Sequence, residues 1–121
     1  MNFNKLAKES HANAVKHGFW EKRESNEHCL MLVVSEIGEM VEAYRTGKRA
    51  NIEAYNEPLL GGCAPFTSFI KDTLEDEMAD VAIRLGDLAG ALGVDFDKMN
   101  PCKYHRAFDK FTFTENAFAL T

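Results

Sequence analysis

At 121 residues, 45% of them apolar and with a formal net charge of −5, the chain makes one domain with a real core. That charge argues against a general nucleic-acid binder, which neutralises phosphates with a basic surface, and no apolar run approaches membrane-spanning length. The start, Met1-Asn2-Phe3-Asn4-Lys5, lacks the basic and apolar regions of a signal peptide, so a cytoplasmic protein is expected. Cys29, Cys63 and Cys102 are odd in number and scattered, which suits neither a disulfide framework nor a zinc site. Small, partly buried thiols are the expectation. No Gly-x-x-x-x-Gly-Lys or Gly-x-Gly-x-x-Gly loop is present, so a nucleotide site would have to be built from helices and metal.

The first predicted helix runs from Phe3 to His17, with Asn2 or Asn4 as cap and Gly18 as its end. Its apolar pattern (Phe3, Leu6, Ala7, Ala14, Val15) is thin, which places it at an edge. Phe19 and Trp20 follow at the break, where an aromatic pair can stack on a base or plug the end of a bundle.

A second helix is predicted from Ser25 or Asn26 to Arg45, with Gly47 as a stop. Val33, Ile37, Met40, Val41 and Tyr44 form its apolar stripe. At roughly 100° per residue, Glu36 lies about 60° and Glu39 about 120° from the stripe's centre, both on one shoulder. Glu42 lies on the outer face. Lys48 to Thr67, with Pro58, Gly61-Gly62 and Pro65, is the least regular stretch, and a loop of this length in a small domain is commonly functional. Residues Asn51 to Glu57 inside it have room for a short helix.

The third helix begins between Pro65 and Thr73 and ends at Gly93. Thr73 and Asp76 have the form of a capping box, while the apolar Ile70 argues for an earlier start. Ile70, Leu74, Met78, Val81, Leu85, Leu88 and Leu92 make a continuous stripe expected to be buried. Glu77 and Asp80 repeat the shoulder arrangement of Glu36 and Glu39. After a turn around Asp95 to Met99, Asn100-Pro101 starts a fourth helix, with Tyr104, Ala107, Phe108 and Phe111 on its apolar side. Lys103, Arg106 and Lys110 line up on it as either a solvated face or a phosphate contact. The expected class is all-α, a four-helix bundle completed by homo-oligomerisation as a dimer or tetramer.

Two helices of the same design can pack their stripes together and face Glu36-x-x-Glu39 with Glu77-x-x-Asp80 across a cleft. Four carboxylates there repel unless roughly four positive charges, or protons, compensate. Two Mg²⁺ ions meet that need, with Mn²⁺ as an alternative, and such a pair suits in-line hydrolysis of a phosphoanhydride. A carboxylate-bridged di-iron centre requires histidine at i+3 from Glu36 or Glu77, and none is there. The plain alternative is that the acids are helix-surface charges with local partners such as Arg84.

These residues carry a family resemblance. Ser35-Glu36-Ile37-Gly38-Glu39-Met40-Val41-Glu42-Ala43, followed by Glu75-Asp76-Glu77-Met78-Ala79-Asp80-Val81, looks like the all-α nucleoside triphosphate pyrophosphohydrolases, the superfamily of MazG and the dimeric dUTPases. The resemblance covers residues 30–46 and 70–92, with Ser35 where the family often has a first acid. It implies that Glu36, Glu39, Glu77 and Asp80 ligate Mg²⁺, and that a nucleoside triphosphate is cleaved between its α and β phosphates. The N-terminal part is similar to dCTP pyrophosphatases, whose first-helix histidine and following tryptophan match His11 and Trp20. That likeness implies nucleotide contacts at both and favours stacking for Trp20.

Lys103 fits a lysine of the family's last helix, but Ala107 stands where an asparagine is expected, and a second tryptophan is replaced around Thr46. Arg84 points from the acidic shoulder toward the expected base or phosphate region. Preference for cytosine therefore does not carry over. The function implied is a (d)NTP pyrophosphohydrolase in nucleotide-pool housekeeping. A phosphoribosyl-ATP pyrophosphohydrolase and a non-catalytic helical binding module are the alternatives.

Overall fold

The structure is a computed structural model that describes residues 2–22, 25–57 and 65–99. Among these residues every regular element is helical: α1 (Phe3–Lys16), α2 (Asn26–Arg45), α3 (Ile52–Tyr55), α4 (Phe66–Phe69) and α5 (Leu74–Leu92). No helix is long and apolar enough to cross a membrane. The expected fourth long helix after Asn100, with Lys103, Arg106 and Lys110, lies outside the described residues, as do Cys63 and Cys102.

Side chains fix the helix starts. Asn2 caps α1 by accepting from the Lys5 N–H, and Ser25 caps α2 by accepting from His28. Asn51 does the same for the single turn of α3 through the Ala54 N–H. The α5 start differs from the expectation drawn from Ile70. Asp72 takes a left-handed conformation at φ 59°, which breaks continuity between α4 and α5, so the helix begins at Leu74. Thr73 Oγ1 caps the Asp76 N–H, and Asp76 Oδ2 returns a bond to the Asp72 N–H at 3.0 Å rather than to Thr73. Gly93, at φ 67°, closes α5 in the left-handed conformation that glycine adopts without penalty.

α5 is the axis of the structure. Both α1 and α2 pack along it rather than on each other. Small residues set the α1 contact: Ala7 is buried against Gly86 and Gly90, and a Cβ at Gly90 would sit 2.6 Å from His11 Cβ and 2.7 Å from the Ala7 carbonyl oxygen. On the other flank, Val33, Glu36 and Ala43 of α2 are buried together with Glu77 and Leu88 of α5.

This packing corrects the expected core. The apolar stripes are covered only in part: Val33 and Leu88 are buried, but Met78, Leu85 and Leu92 of α5, and Ile37, Val41 and Tyr44 of α2, remain exposed. Helix spacing is governed by the glycines and alanines, whose close approach is available only on α5's flanks. Each helix is rotated accordingly, and Glu36 and Glu77 move from the shoulder into the contact itself. Past α5, Asn4 ties the following turn to α1, donating to Asp95 Oδ1 at 2.9 Å and accepting from the Phe96 N–H at 2.7 Å. Phe3 and Phe96 pack above it, and residues 96–99 form a further single turn of helix where a turn was expected.

Candidate functional site

Because α1 and α2 touch α5 on opposite flanks, the third face of α5 looks into the gap between them. Asp80, Ile83, Arg84 and Asp87 recur on that face at i, i+3, i+4 and i+7. All four line an open cavity of about 460 Å³, flanked by Ser10, Asn13, Phe19, Trp20 and Lys22 on one side and His28, Leu32 and Glu36 on the other. Such a volume suits a small organic ligand.

Glu36 and Asp80 stand at one end of the cavity, while Glu39 and Glu77 line a neighbouring cleft. Carboxylate oxygens of Glu36, Glu39 and Glu77 come within 4.8 Å of one another. Glu36 and Glu77 are only 7% and 5% exposed, whereas Glu39 is exposed. Asp80, the fourth expected ligand, is not part of that trio, although its charge is felt there. Burial, with Glu39, Asp76, Asp80 and Glu36 close by, pushes the Glu77 carboxyl above the usual carboxylate range. Asp80 is pushed the same way by burial and by Asp76 and Glu36, against the pull of Arg84. Glu77 belongs to a second trio with Asp72 and Asp76, beside a smaller cleft of about 170 Å³ that Glu39 and Glu42 also line.

Arg84 makes an ion pair from Nε to Glu36 Oε1, so the local partner anticipated from sequence exists. It offsets one carboxylate of the group and leaves the others to repel. The donor set fits a hard divalent cation. Two oxygens on one Mg²⁺ lie at most about 4.2 Å apart, twice the usual ligand distance, so small side-chain rotations would bring the trio to a single ion.

The approach of α5 to the irregular segment is pinned separately. Glu75 accepts from the Ala50 N–H at 2.8 Å and from Arg49 Nε at 2.6 Å, and these bonds hold its carboxyl below the usual range. The Leu74 N–H donates to the Lys48 carbonyl, while Asn51 N–H reaches Phe69 O at 2.9 Å.

The other end of the cavity is aromatic and organised by a residue that the sequence reading missed. Asp87 Oδ1 accepts from Trp20 Nε1 at 2.9 Å and sits 2.9 Å from His11 Nδ1. An ionised carboxylate only accepts, so Nδ1 carries the ring proton. His11 and Trp20 meet edge to face with centroids 5.0 Å apart. Trp20 is half-buried and lines the cavity, with Phe19, 74% exposed, beside it. His11 is brought to this cluster but does not line the cavity itself. Asp87 was legible as the residue seven positions after Asp80, on the same helix face.

Compared with known proteins, the chain matches no family model, no curated protein and no solved structure.

Proposed function

We propose that the chain is a Mg²⁺-dependent nucleoside triphosphate pyrophosphohydrolase, converting a (d)NTP to the monophosphate and pyrophosphate as nucleotide-pool housekeeping. One observation carries this reading: carboxylate oxygens of Glu36, Glu39 and Glu77 gather within 4.8 Å of one another, and Glu36 also lines the cavity that Trp20 lines. The resemblance of residues 30–46 and 70–92 to MazG-like enzymes points the same way and supplies the expected four-helix frame. The exposed apolar residues Val34, Ile37, Val41 and Tyr44 of α2 support a homodimer or homotetramer.

In this reading Glu36, Glu39, Glu77 and Asp80 hold Mg²⁺, or Mn²⁺ in its place. When bound, the ion supplies positive charge against phosphate oxygens and lowers the pKa of water. Arg84, 43% exposed on the cavity wall, covers Glu36 in the metal-free chain and turns to a phosphate once Glu36 has another counter-charge. Trp20 stacks on the base, His11 steadies that end through Asp87, and Lys103 reaches a phosphate as the resemblance implies. The Arg84–Glu36 pair also suits a second reading, a non-catalytic nucleotide-binding module, because it already neutralises one of the central acids.

Incubation of a panel of canonical nucleotides with Mg²⁺ separates the two. The expected products are monophosphate and pyrophosphate in equal amounts. Binding without turnover supports the module, and diphosphate with inorganic phosphate contradicts the proposed bond cleavage.

A further inference from the structure

We propose that Asp87 selects the base, and that the base it selects is guanine; this rests on the reading that the cavity takes a nucleotide. Asp87 side chain is 24% exposed on the cavity wall. Its two hydrogen bonds, from Trp20 Nε1 and His11 Nδ1, both end on Oδ1. They account for that oxygen's two lone pairs and fix the carboxylate from two directions, while neither involves Oδ2. A held carboxylate oxygen at the aromatic end of a cavity can accept hydrogen bonds and can donate none.

That chemistry discriminates among bases. Guanine presents an imino N–H and an exocyclic amino group side by side, so a carboxylate meets donors at adjacent positions. Cytosine and adenine place a ring nitrogen acceptor next to their amino group, and its lone pair faces the carboxylate. Thymine and uracil flank their one N–H with two carbonyl oxygens. A polar group built to accept rejects an edge that offers it lone pairs, because the unpaired contact is desolvated without compensation.

The spacing is consistent with one ligand bridging both ends. Asp87 lies seven residues beyond Asp80 on a continuous helix, about 10 Å of axial rise. That is comparable with the span from a base to the phosphate on its sugar. The cavity volume admits a purine nucleoside.

The test uses the full chain and non-hydrolysable triphosphate analogues, with Trp20 fluorescence as the binding signal. Wild type should bind the guanine analogue about tenfold or more tighter than the hypoxanthine analogue, which lacks only the amino group. This comparison needs no variant. Asp87→Asn keeps an oxygen for Trp20 and His11 and replaces the other with an NH₂ donor. It should therefore move the preference from guanine to xanthine, which carries a carbonyl in place of the amino group. Circular dichroism checks that the variant is folded.

Equal binding of guanine and hypoxanthine overturns the assignment, as does tighter binding of adenine or a pyrimidine. A folded Asp87→Asn whose guanine-to-xanthine ratio is unchanged also overturns it. If nucleotides bind without guanine preference, only the Asp87 assignment fails. If none binds, the nucleotide reading fails and takes this one with it.

Discussion

Gly90→Ala is the sharpest test of how α5 is seated. A Cβ at this position would lie 2.6 Å from His11 Cβ and 2.7 Å from the Ala7 carbonyl oxygen, both far inside van der Waals contact. The carbonyl belongs to the α1 backbone, so relief requires α1 to move away from α5 and not merely a side-chain rotation. Overpacking of this kind costs about 1–3 kcal/mol. Alanine's better helix propensity returns about 0.5–1 kcal/mol. With backbone as the obstacle the cost sits in the upper part of its range, leaving a net loss of about 1–2 kcal/mol. For a chain of this length that lowers Tm by roughly 5 °C. Gly38→Ala in α2 is the control, since nothing lies within 4 Å of a Cβ there, and it should gain about 0.5–1 kcal/mol. Urea melts of both variants measure the difference. A Gly90→Ala protein as stable as wild type would refute the close α1–α5 contact. Since the same shift would carry His11 away from Asp87, nucleotide affinity should fall alongside stability.

The raised carboxyls of Glu77 and Asp80 mean that the metal-free folded chain binds more protons than the unfolded chain above about pH 4. Their contribution to stability is therefore complete at low pH and is lost as pH rises through their folded values. Glu75 and Asp95, held low by hydrogen bonds from Ala50 and Asn4, act oppositely and only below the ordinary range. Urea melts in EDTA should show stability declining as pH rises above the ordinary carboxylate range, a decline that Mg²⁺ removes; a rise there would count against the acid cluster. Trp20→Ala should weaken nucleotide binding by roughly tenfold to a hundredfold, the usual worth of base–aromatic stacking. The loss should fall on KM with kcat little changed, and an unchanged KM would exclude stacking.

Local signals were the most legible part of the chain. Asn2, Ser25 and Thr73 as caps and Gly93 as a stop are short-range events, and the helices begin and end at them. Of the two starts open for α5, the Thr73 cap is the one used and the earlier one suggested by Ile70 is not, because Asp72 adopts a positive φ that an aspartate tolerates without announcing it in sequence. Helix rotation was harder to read. Apolar periodicity marked Met78, Leu85 and Leu92 as core, yet Gly86, Gly90 and Ala7 permit the closer backbone approach that decides the contact. Periodicity weighs hydrophobicity and is blind to the advantage of small size.

The candidate site shows the same division. Glu36, Glu39 and Glu77 were found by spacing and do converge, because i and i+3 share a face whichever way the helix is turned. Arg84 was expected as a partner for these acids and pairs with Glu36, whereas Asp87's bonds to His11 and Trp20 span 76 and 67 residues of sequence and depend on how α1 lies along α5. Pair spacing within one helix carries no information about such contacts.

The central claim, that Glu36, Glu39 and Glu77 with Asp80 form a divalent-metal site, is tested most directly by calorimetric titration with Mn²⁺ in a fixed excess of monovalent salt. The salt screens diffuse attraction to an acidic surface and leaves specific coordination visible. Wild type should show saturable binding, and Glu39→Gln, which removes an exposed ligand without disturbing buried packing, should weaken it at least tenfold with helical content unchanged. Wild-type protein that takes up no Mn²⁺, or a Glu39→Gln variant that binds it equally well, would contradict the account.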